Sequence, residues 1–129
     1  MILLDTHVLV WMAADSKRLS RPATTAIRRA QDEGGVAISA ITLWELASLI
    51  ARGRIHAYGT IDASVRLLIE GVSVKAITPE IAALTTLFPE NYPRDSADRL
   101  IGATALAEGM RLITRDADIR KSPLLTTIW

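Results

Sequence analysis

The sequence predicts an α/β fold of three layers, with a central, mostly parallel sheet of about five strands between two layers of helices. Three observations lead there. Short apolar runs of strand length alternate with longer segments of helical length and spacing, the order of repeated βαβ units. Glycine, proline and capping residues stand at the joints between them. Half of the 129 residues are hydrophobic, enough to bury a core without disulfides or structural metal.

The elements follow in chain order. ILL (2–4) reads as the first strand, and Asp5 then leads into the helical stretch THVLVWM. A second helix is expected around residues 22–33, closed by Gly34-Gly35, before the second strand VAIS (36–39). A largely apolar helix containing Glu45 comes next, and RGRIHAYG (52–59) reads as a loop. VKAI (74–77) is the third strand, with Thr78-Pro79 as an N-cap followed by proline at the first helical position. FPENYPRDS (88–96) is a second irregular segment. A helix beginning near Ser96 and ending at Gly109 precedes the fourth strand, RLIT (111–114). A short turn at DADIR and a fifth strand, LTTI (125–128), complete the chain. There is no internal repeat, low-complexity segment or linker, so a single domain over residues 1–129 is expected.

Composition excludes several chemistries. The absence of cysteine removes disulfides, thiolate zinc sites and cysteine nucleophiles, and two histidines, His7 and His56, leave little for an imidazole-rich metal centre. Glu45 and Arg52 interrupt the longest apolar stretch, so no membrane span is expected. MILLD lacks the basic start of a signal peptide, and a cytoplasmic location is the default expectation. The net charge of +1 gives no general attraction to nucleic acid, although twelve of the fifteen basic residues are arginine, the side chain suited to bidentate phosphate contacts. Six aromatic residues, widely scattered, do not suggest a base-stacking platform.

The acids carry the functional signal. In VAISAITLWELASLIA (36–51) Glu45 is the only charged side chain, an expensive placement among apolar neighbours. Asp5 and Asp116 fall at the C-terminal ends of the first and fourth strands, while Glu45 and Asp98 fall near the N-terminal ends of helices. In βαβ units the helices run antiparallel to the strands, so all four carboxylates are expected at one rim, where open α/β sheets bind ligands. Each acid also has an ordinary explanation. Thr42-x-x-Glu45 matches a capping box, Asp95 can cap the helix whose dipole Asp98 would meet, Asp116 can cap DADIR, and Asp5 can cap THVLVWM. Capping does not explain four acids at one rim with no lysine or histidine to neutralise them. Two carboxylates about 4 Å apart repel by roughly 4 kcal/mol at an effective dielectric of 20. A divalent cation resolves the conflict, and oxygen-only ligands select Mg²⁺ or Mn²⁺. An acidic rim holding such an ion is suited to phosphodiester hydrolysis.

The order DTHVLVW (5–11), ITLWELASL (41–49), PRDSADRLIGATAL (93–106) and LITRDADI (112–119), ending in TTIW (126–129), closely resembles the PIN-domain family. Within it, the chain is similar to the VapC-type ribonuclease toxins of prokaryotic toxin–antitoxin pairs, nearly from end to end. The resemblance implies that Asp5, Glu45, Asp98 and Asp116 form the family's acidic quartet, with Thr6 and Thr114 as the hydroxyls beside the first and last acids. Where family members usually carry Asn, this chain has His7. The resemblance further implies Mg²⁺- or Mn²⁺-dependent cleavage of RNA to 5′-phosphate and 3′-hydroxyl ends, a homodimer, and a VapB-like antitoxin whose C-terminal segment lies across the acidic pocket.

On this reading Asp5 and Asp98 are the principal metal anchors, and Glu45 and Asp116 complete the shell or orient water. Asp95 and Asp118 adjoin quartet members, with capping and turn roles preferred over ligation. Arg94, Arg99 and Arg115 are candidates for RNA phosphates or for pairing with the acids. Trp11, Met12, Trp44, Leu46, Leu49 and Ile50 are candidates for an antitoxin groove, set against the simpler expectation that most are core. His7 could act as a base by residue type, but a metal-bound water needs none. Two other classes compete with this one. A phosphorylated receiver-like domain would need an aspartate after the third strand, where VKAITPE offers Thr78. A catalytically idle PIN-like binding module is the alternative that the four intact acids argue against.

Overall fold

The computed structural model describes residues 1–129. Its five strands are β1 (Ile2–Leu4), β2 (Val36–Ser39), β3 (Ser73–Lys75), β4 (Arg111–Ile113) and β5 (Thr127–Ile128). The helices are α1 (Thr6–Ala14), α2 (Arg21–Asp32), α3 (Ala40–Ala51), α4 (Ile61–Leu68), α5 (Pro79–Leu84), α6 (Ser96–Glu108) and α7 (Ala117–Arg120). The strands form one fully parallel sheet in the order β3-β2-β1-β4-β5. The expected three-layer α/β/α architecture is therefore present, with edge strands shorter than the apolar runs proposed for them. β3 begins one residue earlier than VKAI and stops at Lys75, three residues before Thr78 caps α5, and β5 keeps only the last two residues of LTTI.

Alternating side chains of the strands separate two cores. Ile2, Leu4, Val36, Ile38 and Ile113 pack with α1, α2 and Leu46 of α3 on one face. Leu3, Ala37 and Leu112 pack with Ile81, Phe88, Tyr92 and α6 on the other. All four residues of β2 and all three of β1 are buried, the mark of strands covered on both faces. The helix starts follow local chemistry: Ser20, Ser39, Thr60, Thr78 and Asp95 each accept a backbone N–H as N-caps. α6 ends on Gly109, whose φ of 63° closes the helix in the left-handed conformation.

Topology decides where a site can form. β1 pairs with β2 on one side and β4 on the other, so consecutive connections leave β1 in one direction and reach β4 in the other. The switch point therefore lies between the C-terminal ends of β1 and β4, where a crevice opens in sheets of this kind. Asp5 and Thr114 are the residues that step off those two strands.

Candidate functional site

Asp5 serves first as the N-cap of α1: its Oδ1 accepts the backbone N–H of Thr6 at 2.8 Å. Its other oxygen, Oδ2, accepts the buried Thr114 hydroxyl at 2.8 Å, across the switch point. Thr114 Oγ1 in turn accepts the backbone N–H of Asp116 at 3.1 Å. One hydroxyl therefore joins the acid after β1 to the acid after β4.

A second hydroxyl joins α1 to α3. The Thr6 hydroxyl donates to Glu45 Oε1 at 2.5 Å and lies 3.0 Å from the hydroxyl of Thr42. Thr6 and Thr42 are both buried, so the carboxylate of Glu45 is held by a polar chain that reaches into the core. This arrangement replaces the capping box proposed from Thr42-x-x-Glu45. Ser39 is the N-cap of α3 and accepts the Ile41 N–H, so Thr42 and Glu45 lie inside the helix, three and six residues past the cap, and do not form its capping pair. Glu45 is thus free to face the cleft.

α6 supplies the remaining acids. Asp95 Oδ1 accepts the backbone N–H groups of Ala97 and Asp98, at 2.9 and 3.2 Å. Asp98 lies in the first turn. Its carbonyl oxygen accepts the hydroxyl of the buried Tyr92 at 2.8 Å, which ties the loop before α6 to the turn that carries the acid. Asp116 caps α7, accepting from Asp118 and Ile119 at 2.9 and 3.0 Å.

Asp5, Glu45, Asp95, Asp98 and Asp116 all line one open cleft of about 470 Å³, together with His7, Val8, Trp11 and Arg115. Arg115 is its only arginine, and its guanidinium lies 5.9 Å from the centre of the Trp11 ring. Charge crowding is visible in the acids. Burial first, then the charges of Asp5, Asp95, Glu45 and Asp116, push the Asp98 carboxyl up to about 7. Asp5 is raised by burial against the opposing bonds from Thr114 and Thr6, and Glu45 by burial against its bond from Thr6. The donors are oxygens apart from His7, which suits a hard divalent cation. No three side chains close into a ready coordination set. The fit is to an ion that keeps several of its waters and takes one or two direct carboxylates, as Mg²⁺ does.

The other sequence candidates divide. Arg99 is not available to RNA: its guanidinium donates to the carbonyls of Phe88, Pro89, Thr85 and Tyr92, at 3.0–3.5 Å, and so clamps the loop before α6. Arg94 and Asp118 are exposed and do not line the cleft. Leu46 and Ile50, at 0% and 6% exposure, are buried and cannot form a groove; Leu46 packs among the strand side chains of β1 and β2. Met12 also packs against this core, whereas Trp44 is 65% exposed. Trp11 and Leu49 line a cleft of about 380 Å³ that adjoins the acidic one through His7 and Trp11. Thr42 and Tyr92 support the acids through contacts that no sequence motif assigns to them. A hydroxyl one turn before Glu45 was a usable signal for Thr42, but no local spacing announces a tyrosine that bonds a carbonyl six residues on.

The Thr6 hydroxyl offers a direct check. Thr6→Val keeps the side-chain volume but leaves Glu45 and Thr42 without their shared partner, a loss of about 1–2 kcal/mol of stability. A group that orients a metal ligand is typically worth 10–100-fold in metal affinity. A Mn²⁺ titration of the melting temperature should shift to higher metal concentration by about that factor; an unchanged titration would separate the Thr6 hydroxyl from ion binding.

Comparison with known proteins agrees with this architecture. Residues 2–123 match the family model of the PIN domain. The chain is 39% identical over 130 residues to Ribonuclease VapC22 of Mycobacterium tuberculosis (strain ATCC 25618 / H37Rv), covering 99% of this chain and 98% of that protein. In fold it is similar to a chain of VapBC2 from Rickettsia felis, solved bound to a DNA fragment from its promoter (TM-score 0.76, 16% identity, 98% and 97% of the two chains). It is also similar to a chain of VapBC-1 from nontypeable Haemophilus influenzae (TM-score 0.69, 25% identity, 98% and 96%).

Proposed function

The chain belongs to the PIN-domain family, and from that premise we propose that it is a metal-dependent endoribonuclease acting as the toxin of a VapBC-type pair. The observation that carries the reading is the set of five carboxylates around one cleft at the switch point of the sheet, three of them raised by burial or mutual repulsion. Kinship with a ribonuclease over nearly its full length supports RNA as the substrate, and likeness to chains of VapBC assemblies supports a VapB-like protein partner.

In this reading Asp5 and Asp98 hold Mg²⁺ or Mn²⁺, with Glu45 and Asp116 completing the site. The bound ion would lower the pKa of a water and stabilise charge on the phosphodiester. The chain's own residues hold the geometry. Thr114 and Thr6 fix the Asp5 and Glu45 carboxylates from behind, Asp95 caps the helix that carries Asp98, and Tyr92 anchors the same turn. Arg115, the one arginine that lines the cleft, would receive an RNA phosphate. An antitoxin segment carrying a basic side chain into the cleft, with apolar residues along Trp11 and Leu49, would exclude RNA by occupying the same charge. A homodimer and a cytoplasmic location complete the proposal; no helix is long and apolar enough to cross a membrane.

The test uses purified, antitoxin-free protein with a panel of transfer and ribosomal RNAs, in Mn²⁺ and in excess chelator. Discrete fragments only with metal are expected. Mn²⁺ should also raise the melting temperature, since a ligand at about 100 times its dissociation constant adds roughly 2.7 kcal/mol. Absence of both cleavage and thermal shift would favour a binding module without catalysis.

A further inference from the structure

We infer that a basic track beside β5, formed by Arg21, Arg29, Arg111, Arg120 and Lys121, holds the sugar–phosphate backbone of the RNA whose scissile bond lies in the acidic cleft. The inference rests on the nuclease reading and addresses what that reading leaves open. A cleft lined by five carboxylates repels a polyanion everywhere except at the bound cation, so the substrate needs cationic surface nearby.

That surface is continuous with the cleft. Trp11, in the acidic cleft, packs on Trp129 with ring centres 5.8 Å apart. Trp129 lines a second cleft, of about 550 Å³, with Arg120, Lys121 and Ile128. Ile128 also lines a third, of about 420 Å³, with Arg21, Thr25, Arg29 and Arg111. Neither of these two clefts is lined by an acid.

The arginines are placed there by regular structure. Arg21, Thr25 and Arg29 recur every four residues and so share one face of α2, and Arg21 and Arg29 are about 12 Å apart along the helix. Arg111 opens β4 on the same side of the sheet as Ile113, the side that α2 covers. None of the five cations makes an ion pair; the ion pairs present are Arg18 with Asp15 and Arg66 with Asp62. Cations gathered along the β5 edge without ion-pair partners suit an extended polyanion, and a strand of RNA supplies phosphates at regular intervals along such a track.

Binding without cleavage tests this separately from catalysis. Labelled transfer RNA is titrated, in chelator and across a salt series, with the Asp98→Asn protein and with the same protein carrying Arg21→Gln, Arg29→Gln and Arg111→Gln. The triple substitution should weaken binding about tenfold at low salt and flatten the log–log salt slope by about 2, at roughly 0.7 for each lost contact to a single strand. Arg52→Gln with Arg66→Gln, on surface outside the three clefts, controls for the loss of charge in general. An unaltered dissociation constant and slope in the triple variant overturn the track. Equal weakening by the control pair does so too. Retained RNA affinity with loss of binding to an oligo-glutamate peptide would give the face to an acidic polypeptide instead. Weakened binding in the triple variant, together with no cleavage by the protein carrying native Asp98 in Mn²⁺, would keep the track as an RNA-binding edge and remove the nuclease reading.

Discussion

Asp98→Asn is expected to lower metal-dependent RNA cleavage by about a hundred- to a thousandfold, the scale of removing one preorganised electrostatic group from an active site, while making the metal-free protein more stable. The two effects share a cause. The Asp98 carboxyl is raised to about 7 by burial and by the charges of Asp5, Asp95, Glu45 and Asp116. Between about pH 4 and pH 7 the folded protein keeps a proton that the unfolded chain has released. The native state therefore binds more protons than the unfolded state, and stability falls as pH rises through that window, with the full cost present above it. After allowance for partial exposure, the cost is of order 1–2 kcal/mol, or several degrees in a chain of this size. In chelator, the wild-type melting temperature should decline from pH 5 to pH 8, and the decline should be smaller in Asp98→Asn, which keeps only the raised Asp5 and Glu45. Mn²⁺ should restore wild type at pH 8 and leave the variant nearly unmoved. A variant that cuts RNA at the wild-type rate would exclude Asp98 from the site, and matching pH profiles would remove the electrostatic account.

Arg99→Gln should be the most damaging substitution of a surface-facing charge. The guanidinium collects the carbonyls of Thr85, Phe88, Pro89 and Tyr92 and lies 5.9 Å from the centre of the Tyr92 ring, so one side chain closes the irregular segment against α6. Hydrogen bonds from a charged donor are worth about 1.5–3 kcal/mol, and leaving several carbonyls unmet should cost about 2–3 kcal/mol in all. The melting temperature should fall by roughly 8–10 °C. Cleavage should suffer through the loosened loop, since Tyr92 and Asp95 both brace the turn that carries Asp98. The salt dependence of RNA binding should not change, because the donors of this arginine are spent on the protein's own carbonyls. A thermally neutral variant with a shallower salt slope would return Arg99 to the RNA. Gly102 reports on the same packing: a Cβ there would run into the Tyr92 hydroxyl and Phe88, so the close approach of that loop to α6 depends on a missing side chain.

Much of this molecule was legible from local patterns. The apolar runs of β1, β2 and β4 and the caps at Thr78 and Asp95 are short-range features, and the sheet they imply does form. The placement of four acids at strand ends and helix starts followed from βαβ geometry, because direction alone puts those ends at one rim. What remained was non-local. Thr6 and Glu45 are 39 residues apart and Thr114 and Asp5 are 109 apart, yet each pair meets through one hydroxyl. Leu46 and Ile50 look like their exposed neighbour Trp44 in composition, and only the docking of α3 on the sheet sorts core from surface. Arg99 adjoins an acid in sequence, but its long side chain reached carbonyls of an earlier loop. Sequence by itself determined the alternation of elements and the chemistry available to the rim, since both depend on neighbours within a few residues. Tertiary structure decided which hydroxyls steady the acids, which arginines are free, and that five cations line the flank of β5, because those outcomes depend on which distant segments the sheet order brings together.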